Sequence, residues 1–223
     1  MEFVIADTGR LEFLPYRLVI VGYAGRNQKA VLRHIEELKA QGIPGPNRVP
    51  ETYEVAVDRL SSDPLIQVEG LHTSGEVEAV LLLAGGAIWV GVGSDHTDRD
   101  VERISVSQSK SACPKVISRS LWRFEEVVDH WDDLVLRSWT RGVDGDLALY
   151  QEGRLEEILR PDALLEMVRG KSQDRLDQTV VFTGTVPLVG GEFRYSSEYH
   201  VQLVDEELHR SLYCPYKVAV VQH

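Results

Sequence analysis

The stretch SGEVEAVLLLAGGAIWVGVGSDHTDRDVER, from Ser74 to Arg103, decides the fold of this chain. Two apolar runs lie on either side of the dipeptide Gly85-Gly86, which is a strong turn signal between strands. Runs of this length, bounded by turn residues, are typical of buried β-strands. The pattern therefore predicts a β-hairpin over residues 76–94.

Three carboxylates belong to this hairpin. Glu76 and Glu78 are two positions apart on a strand, so both project from the same face. Asp95 follows the second strand, and the turn returns it to the neighbourhood of the two glutamates. Hard oxygen ligands near one point suit Mg²⁺ or Mn²⁺. The alternatives are a solvated strand end and a polar turn with local Asp–Arg pairs. Zinc bound through His96 is less favoured, because no His or Cys lies at ligand spacing from it.

The composition narrows the class of protein. The chain has 223 residues, 43% of them hydrophobic, which is enough to bury a sizeable core in one compact unit. The formal net charge of −11 argues against nucleic acid or an anionic membrane as a partner. No apolar run reaches membrane-spanning length and no signal peptide is visible, so a cytoplasmic protein is expected. Cys113 and Cys214 are expected to be reduced and structural.

The remaining pattern predicts a β-rich α+β protein. A helix is expected over residues 27–41, and the Pro/Gly-rich loop after it suggests a small N-terminal lobe (1–50) and a main domain (51–223). Short strands and turns dominate the second part. Helices are also expected over residues 121–131 and from Pro161, which occupies a favourable first helical position.

A pair on the first helix offers a candidate general base. His34 and Glu37 are three residues apart, so they lie side by side on the helix surface. A carboxylate beside an imidazole orients the ring and raises its basicity, as a general base requires. The alternative is an ordinary surface pair, which is common and weak.

Taken together, these segments resemble the fumarylacetoacetate hydrolase (FAH) family. A typical member carries an HxxE helix, a Pro-rich stretch, an ExE strand, an Asp segment with a following Arg-Asp pair, a Lys-Ser segment and a late Thr-Gly-Thr strand. The matching elements here, in the same order, are His34–Glu37, GIPGP, Glu76–Glu78, SDHTDRD, Lys110-Ser111 and Thr183-Gly184-Thr185. The departures are Ser94 where an Asn is usual, Val186 where a Pro is usual, a shorter stretch from Glu76 to Asp95, and a longer one from Asn27 to His34.

The resemblance implies a distorted β-roll, usually assembled as a homodimer, and a role for each matching residue. It assigns the divalent metal to Glu76, Glu78 and Asp95. It assigns the catalytic dyad to His34 and Glu37. It places Lys110 against a substrate oxygen and Thr185 near the substrate carboxylate. It also implies that Arg99 binds substrate and that Arg99 and Asp100 form the pair that buttresses the site.

The expected activity is metal-dependent hydrolysis of a C–C bond in a small 2-oxo or 2,4-dioxo carboxylate, as in acylpyruvate hydrolysis. In this interpretation the metal and Lys110 stabilise an enolate while His34 activates water. A decarboxylase, hydratase or isomerase acting on 2-oxo acids through a metal-bound enolate is the close alternative. A non-catalytic binding protein on the same fold is the alternative from another class.

Overall fold

The computed structural model describes most of the chain. The described residues are 1–5, 9–40, 45–46, 48–170 and 176–221, without the side chains of residues 34 and 37–40. Four α-helices lie in this part: α1 (Gln28–Ala40), α2 (Arg99–Glu102), α3 (Val106–Ala112) and α4 (Pro161–Gly170). None of the described helices is long and apolar enough to cross a membrane.

Strands dominate the same described part. They are β1 (Glu2–Ile5), β2 (Gly9–Glu12), β3 (Arg17–Gly22), β4 (Glu51–Val55), β5 (Leu60–Ser61), β6 (Leu65–Val68), β7 (Thr73–Ser74), β8 (Val77–Ala84), β9 (Ala87–Asp95), β10 (Thr97–Asp98), β11 (Lys115–Ile117), β12 (Ser120–Arg123), β13 (Val135–Arg141), β14 (Leu147–Arg154), β15 (Thr179–Thr185), β16 (Glu198–Asp205) and β17 (Arg210–Val220). This β-rich α+β architecture is the class that the sequence predicts.

The strands form two main sheets. The ten-stranded sheet has the order β2-β1-β12-β9-β8-β15-β3-β4, and β11 joins it beside β9 and pairs with β5. The five-stranded sheet has the order β14-β13-β16-β17-β6, and β10 pairs with β7 in a separate two-stranded ladder. The predicted hairpin is confirmed, because β8 and β9 pair antiparallel from Val77↔Ser94 to Ala84↔Ala87.

The hairpin lies between two apolar cores. All eight residues of β8 are buried, which explains why its sequence is a continuous apolar run rather than an alternating one. Val77, Ala79 and Leu81 belong to the core shared with the five-stranded sheet. Val80 and Leu82 face the second core, on the opposite side of the ten-stranded sheet. A hairpin held from both faces is a rigid support for the polar groups at its open end.

One predicted element is wrong. Residues 121–131 do not form a helix: β12 covers their beginning and short 3-10 turns follow at Phe124–Glu126 and Trp131–Asp133. The strand forms because Trp122 and Arg123 pair with β9, while Leu121 pairs with β1. Partners distant in sequence therefore override an apolar spacing that also suits a helix.

The first fifty residues contribute strands to the large sheet. β3 lies between β15, to which it is parallel, and β4, to which it is antiparallel. β1 pairs with β12. Strands from both sides of the predicted boundary at residue 50 thus share one sheet, and the division into a lobe and a main domain stays a prediction.

Candidate metal centre

The open end of the β8–β9 hairpin gathers the three predicted acids. The backbone N–H of Asp95 donates to the carbonyl of Glu76 at 3.0 Å, which closes the hairpin at this end. One carboxylate oxygen from each of Glu76, Glu78 and Asp95 lies within 4.8 Å of the other two. Asp95 and Glu78 are 0% and 2% exposed. Three carboxylates this close and this buried repel one another unless positive charge accompanies them.

Glu78 is the acid whose negative charge is least balanced by its neighbours. The backbone N–H of Gly184 donates to its carboxylate at 2.8 Å. Burial, followed by the charges of Asp95 and Glu76, nevertheless holds the pKa of Glu78 well above its ordinary value. Added positive charge at this point would favour the ionised carboxylate.

Asp95 lies between two lysines. Lys110 Nζ is 2.6 Å from one carboxylate oxygen, and Lys115 Nζ is 2.6 Å from the other. Among the described residues, no backbone amide, hydroxyl or uncharged side chain donates to either oxygen, so the carboxylate contacts these two ammonium groups instead. The charge of this fully buried carboxylate is therefore balanced by two lysines.

Glu76 is held by Lys110 and Arg99. Its two oxygens lie 2.8 Å from Lys110 Nζ and 3.1 Å from the guanidinium of Arg99. Burial would raise the pKa of Glu76, but the charges of Lys110 and Arg99 outweigh burial and hold it below its ordinary value. Glu76 is therefore ionised at neutral pH and ready to accept a cation.

Arg99 is anchored on several sides. Its Nε donates to the Ser74 hydroxyl at 2.8 Å, and another nitrogen pairs with Glu102 at 2.8 Å. The ring of Phe193 lies over the guanidinium, 4.1 Å from its carbon to the ring centre. The side chain is only 3% exposed, so its observed contacts position Glu76.

Thr185 lies at the end of β15, beside the hairpin. Its hydroxyl donates to the carbonyl of Val77 at 2.8 Å and accepts from the side-chain amide of Gln151 at 2.8 Å. Gln151 in turn accepts from the N–H of Val77 at 3.0 Å. These bonds tie the Thr-Gly-Thr segment to the start of β8. Contact of Thr185 with a substrate stays a prediction.

His96 is not placed to bind a metal. Its Nδ1 lies 3.0 Å from the Tyr216 hydroxyl, and its Nε2 lies 2.9 Å from the Thr73 hydroxyl. Burial, assisted by Lys115 and Arg99, lowers the pKa of the ring to about 3. The neutral imidazole is occupied at both nitrogens, which agrees with the preference for a carboxylate site over zinc.

The predicted catalytic dyad belongs to α1. The backbone of His34 and Glu37 belongs to α1, but both side chains lie outside the described residues. Their roles stay predictions.

Two residues near the site were missed by sequence reasoning. The sequence offered one indication that Lys115 is functional, because a charged residue begins the otherwise apolar strand Lys115–Ile117. The sequence offered no such indication for Tyr23, because only the folded chain brings this residue close to the acidic site. It follows β3 with a φ of 57°, and burial, then the charge of Glu102, raises the pKa of its hydroxyl.

A family model and several solved structures are similar to this chain. A family model described as "Protein of unknown function (DUF2848)" matches residues 21–216. No curated protein matches the chain.

Several solved structures share the fold. Cg1458 matches with a TM-score of 0.68 and 12% identity, over 94% of this chain and 78% of that one. A hexagonal crystal form of 2-keto-3-deoxyarabinonate dehydratase matches with a TM-score of 0.68 and 14% identity, over 94% and 75%. The 2-keto-3-deoxy-D-arabinonate dehydratase complexed with magnesium and 2,5-dioxopentanoate matches with a TM-score of 0.62 and 16% identity, over 93% and 74%. These similarities confirm the predicted FAH-like fold class.

Proposed function

This chain belongs to the family described as protein of unknown function DUF2848, and from that premise we propose that it is a divalent-metal-dependent enzyme acting on a small 2-oxo carboxylate. The observation that carries the proposal is the buried acidic group formed by Glu76, Glu78 and Asp95, whose ligand oxygens lie within 4.8 Å of one another. Burying like charges is costly, and a bound cation offsets that cost. The magnesium-bound dehydratase of the same fold supports the same interpretation.

The donor set fits a hard divalent cation. Carboxylate oxygens suit Mg²⁺, which keeps several water molecules and needs few protein ligands. Both oxygens of Asp95 are buried, and among the described residues they contact the ammonium groups of Lys110 and Lys115 rather than a backbone or hydroxyl donor. We propose that Glu76, Glu78 and Asp95 hold Mg²⁺, with Mn²⁺ as a substitute of the same ligand preference.

In this proposal the residues around the three acids stabilise the substrate and hold the ligands in position. A bound cation polarises the 2-oxo group of a substrate and stabilises negative charge on its oxygen. Lys110, an ammonium 2.8 Å from Glu76, adds positive charge where that oxygen would lie. Arg99 holds Glu76 in position through its 3.1 Å contact. In this proposal Thr185 contacts the substrate carboxylate.

Hydrolysis of a C–C bond in a 2,4-dioxo acid is the activity predicted from the sequence. It requires water to be delivered to the second carbonyl by a base, and His34 oriented by Glu37 is the candidate. The leaving carbon departs as an enolate, which the positive charges around Glu76 and Asp95 stabilise.

Dehydration of a 2-oxo acid is a second candidate, favoured by a specific observation. Two of the similar structures are 2-keto-3-deoxyarabinonate dehydratases. Loss of water from such an acid begins with removal of a proton beside the 2-oxo group, so it uses the same charge stabilisation. It needs no water activated for attack on carbon.

A substrate panel separates these candidates. The purified protein is incubated with Mg²⁺ and 2,4-dioxo acids, or with 2-oxo-3-deoxy sugar acids, and the products are identified by mass. Cleavage into two acids supports the hydrolase, whereas a product lighter by one water supports the dehydratase. The Glu78→Gln variant is the matched control and should be inactive in both assays. Absence of turnover on every acid, with no response to Mg²⁺, would favour a non-catalytic binding protein.

The assembly state completes the proposal. The resemblance to the FAH family implies a homodimer, and sedimentation equilibrium at several protein concentrations tests it. A species of 25.1 kDa at micromolar concentration would contradict the dimer without affecting the proposed chemistry.

A further inference from the structure

The two lysines that flank Asp95 are held in different ways. Both Nζ atoms lie 2.6 Å from a carboxylate oxygen of this residue. A carboxylate that binds a divalent cation cannot keep two ammonium groups at that distance without strong repulsion between the cations. The contacts of each lysine indicate which ammonium group would move away from Asp95 when a cation binds.

Lys115 is fixed by the main chain. It belongs to β11, where it pairs directly with Asp95 on β9. Its Nζ also donates to the backbone carbonyl of His96 at 2.6 Å, and the residue is 0% exposed. Moving this ammonium would leave a backbone carbonyl and a buried charge without partners, which is costly.

Lys110 is held by side chains. It lies in the last turn of α3, and its Nζ contacts Glu76 at 2.8 Å, Asp95 at 2.6 Å and the hydroxyl of Thr97 at 3.4 Å. Two of these partners are candidate metal ligands. Lys110 therefore binds the same oxygens that a divalent cation would use, and no backbone group of the described residues accepts a hydrogen bond from it.

We propose that Lys115 is a fixed counter-ion of Asp95 and that Lys110 is a displaceable one, which leaves Asp95 and Glu76 when a divalent cation binds. This inference rests on the proposed function, because it assumes that the acids bind a metal. Displacement frees the ammonium of Lys110 to meet the substrate oxygen. Lys110 thus connects cation binding to readiness for substrate, and it weakens cation binding by competing for the ligands.

The competition makes a measurable prediction. Mn²⁺ binding is measured by titration calorimetry or electron spin resonance for the wild-type protein and for Lys110→Met. The variant should bind Mn²⁺ at least about tenfold more tightly, since it loses a cation that must otherwise be displaced. Lys217→Met is the matched control, because it removes one exposed lysine of β17; its affinity should stay within about twofold of the wild type.

A structure of the wild-type protein with Mn²⁺ provides a second measurement that needs no variant. Lys110 Nζ should move beyond 4 Å from Asp95, whereas Lys115 Nζ should stay within about 3 Å, the usual range of a charge-assisted contact. Lys115→Met should lower the melting temperature of the metal-free protein more than Lys110→Met does, because it removes the fixed partner of a buried carboxylate.

The outcomes separate this inference from the proposed function. Equal or weaker Mn²⁺ binding by a folded Lys110→Met protein, with normal binding by the wild type, overturns the inference alone. Lys110 remaining on Asp95 in the Mn²⁺-bound structure overturns it as well, even if the variant does not fold. Absence of Mn²⁺ binding by every protein overturns both the inference and the metal-dependent function.

Discussion

The backbone N–H of Gly184 donates a hydrogen bond to the carboxylate of Glu78 at 2.8 Å. This bond joins the Thr-Gly-Thr bend of β15 to the acidic end of β8, although the two residues are 106 positions apart. Gly184 adopts a φ of +104°, and a Cβ at this position would lie 2.8 Å from the Cβ of Ala24. The placement of a candidate metal ligand thus depends on a backbone conformation that favours glycine.

Gly184→Ala is therefore expected to lower both stability and cation affinity. The φ strain and the clash with Ala24 should cost roughly 1–3 kcal/mol of unfolding free energy, measured by urea denaturation. The N–H that supports Glu78 shifts with the backbone, so the melting-temperature gain from Mg²⁺ should shrink. Gly170→Ala is the control, because no atom of the residues that the structure describes lies within 4 Å of the added Cβ. A Gly184→Ala protein as stable and as responsive to Mg²⁺ as the wild type would contradict this account.

Saturating Mg²⁺ is expected to stabilise the wild-type protein and not Glu78→Gln. At a hundredfold excess over the dissociation constant, binding adds about 2.7 kcal/mol, or roughly 5–10 °C in melting temperature for a domain of this size. Without metal, Glu78→Gln should melt higher than the wild type, because burial and like charges disfavour the ionised Glu78. Scanning calorimetry with Mg²⁺ and with a chelator measures both effects. Equal Mg²⁺ shifts in the two proteins would remove Glu78 from the metal centre.

Lys110→Met is expected to lower turnover by roughly two to three orders of magnitude, the scale for losing one oxyanion donor. The loss should lie in kcat rather than KM, since the charge matters most as the substrate oxygen becomes negative. Circular dichroism checks that the protein remains folded. Wild-type kcat on a substrate found in the panel would exclude Lys110 from the reaction.

His34→Ala is expected to separate the hydrolase from the dehydratase. Hydrolysis needs an activated water, so cleavage of a 2,4-dioxo acid should fall by roughly two to four orders of magnitude, the usual contribution of a general base. Glu37→Gln should be milder, because it disturbs only the orientation of the ring. The Mg²⁺-induced melting shift should remain in both variants. Arg33→Ala, an exposed position on the same helix, is the control. Undiminished turnover in His34→Ala would place the dehydratase first.

Alkaline pH is expected to destabilise the protein through Cys214. Burial raises the pKa of this thiol to about 12, whereas an unfolded thiol titrates near about 8.5. Between these values the unfolded state loses its proton and the folded state keeps it, so stability falls as pH rises. From pH 8 to pH 10 this amounts to at most about 2 kcal/mol. Cys214→Ala should reduce that pH-dependent loss in urea titrations; identical pH slopes would show that the thiol is accessible.

Local patterns along the chain determined the hairpin and the metal-site hypothesis. Gly85-Gly86 places two apolar runs side by side, and Glu76 and Asp95, which are 19 positions apart in the chain, lie at the open end of the hairpin that these runs form. Contacts within such a short segment depend on strand periodicity and turn chemistry, which a sequence displays directly. The helix beginning at Pro161 was predicted for the same local reason and is present.

Pairing between strands distant in sequence determined the structure of residues 121–131, which the local pattern did not predict. Residues 121–131 show an apolar spacing that suits a helix, yet β12 forms there because β9 and β1 offer unpaired edges. A strand receives its hydrogen bonds from partners elsewhere in the chain, so its own sequence does not specify it.

The sequence by itself thus determined the fold class, the hairpin and the three acids that it brings together. Only the tertiary structure decided how their charge is balanced: two lysines on Asp95, Arg99 on Glu76, and the amide of Gly184 on Glu78. The physical reason is that burial and ion pairing depend on distances between segments far apart in the chain. A spacing pattern carries no information about such distances until the sheets have formed.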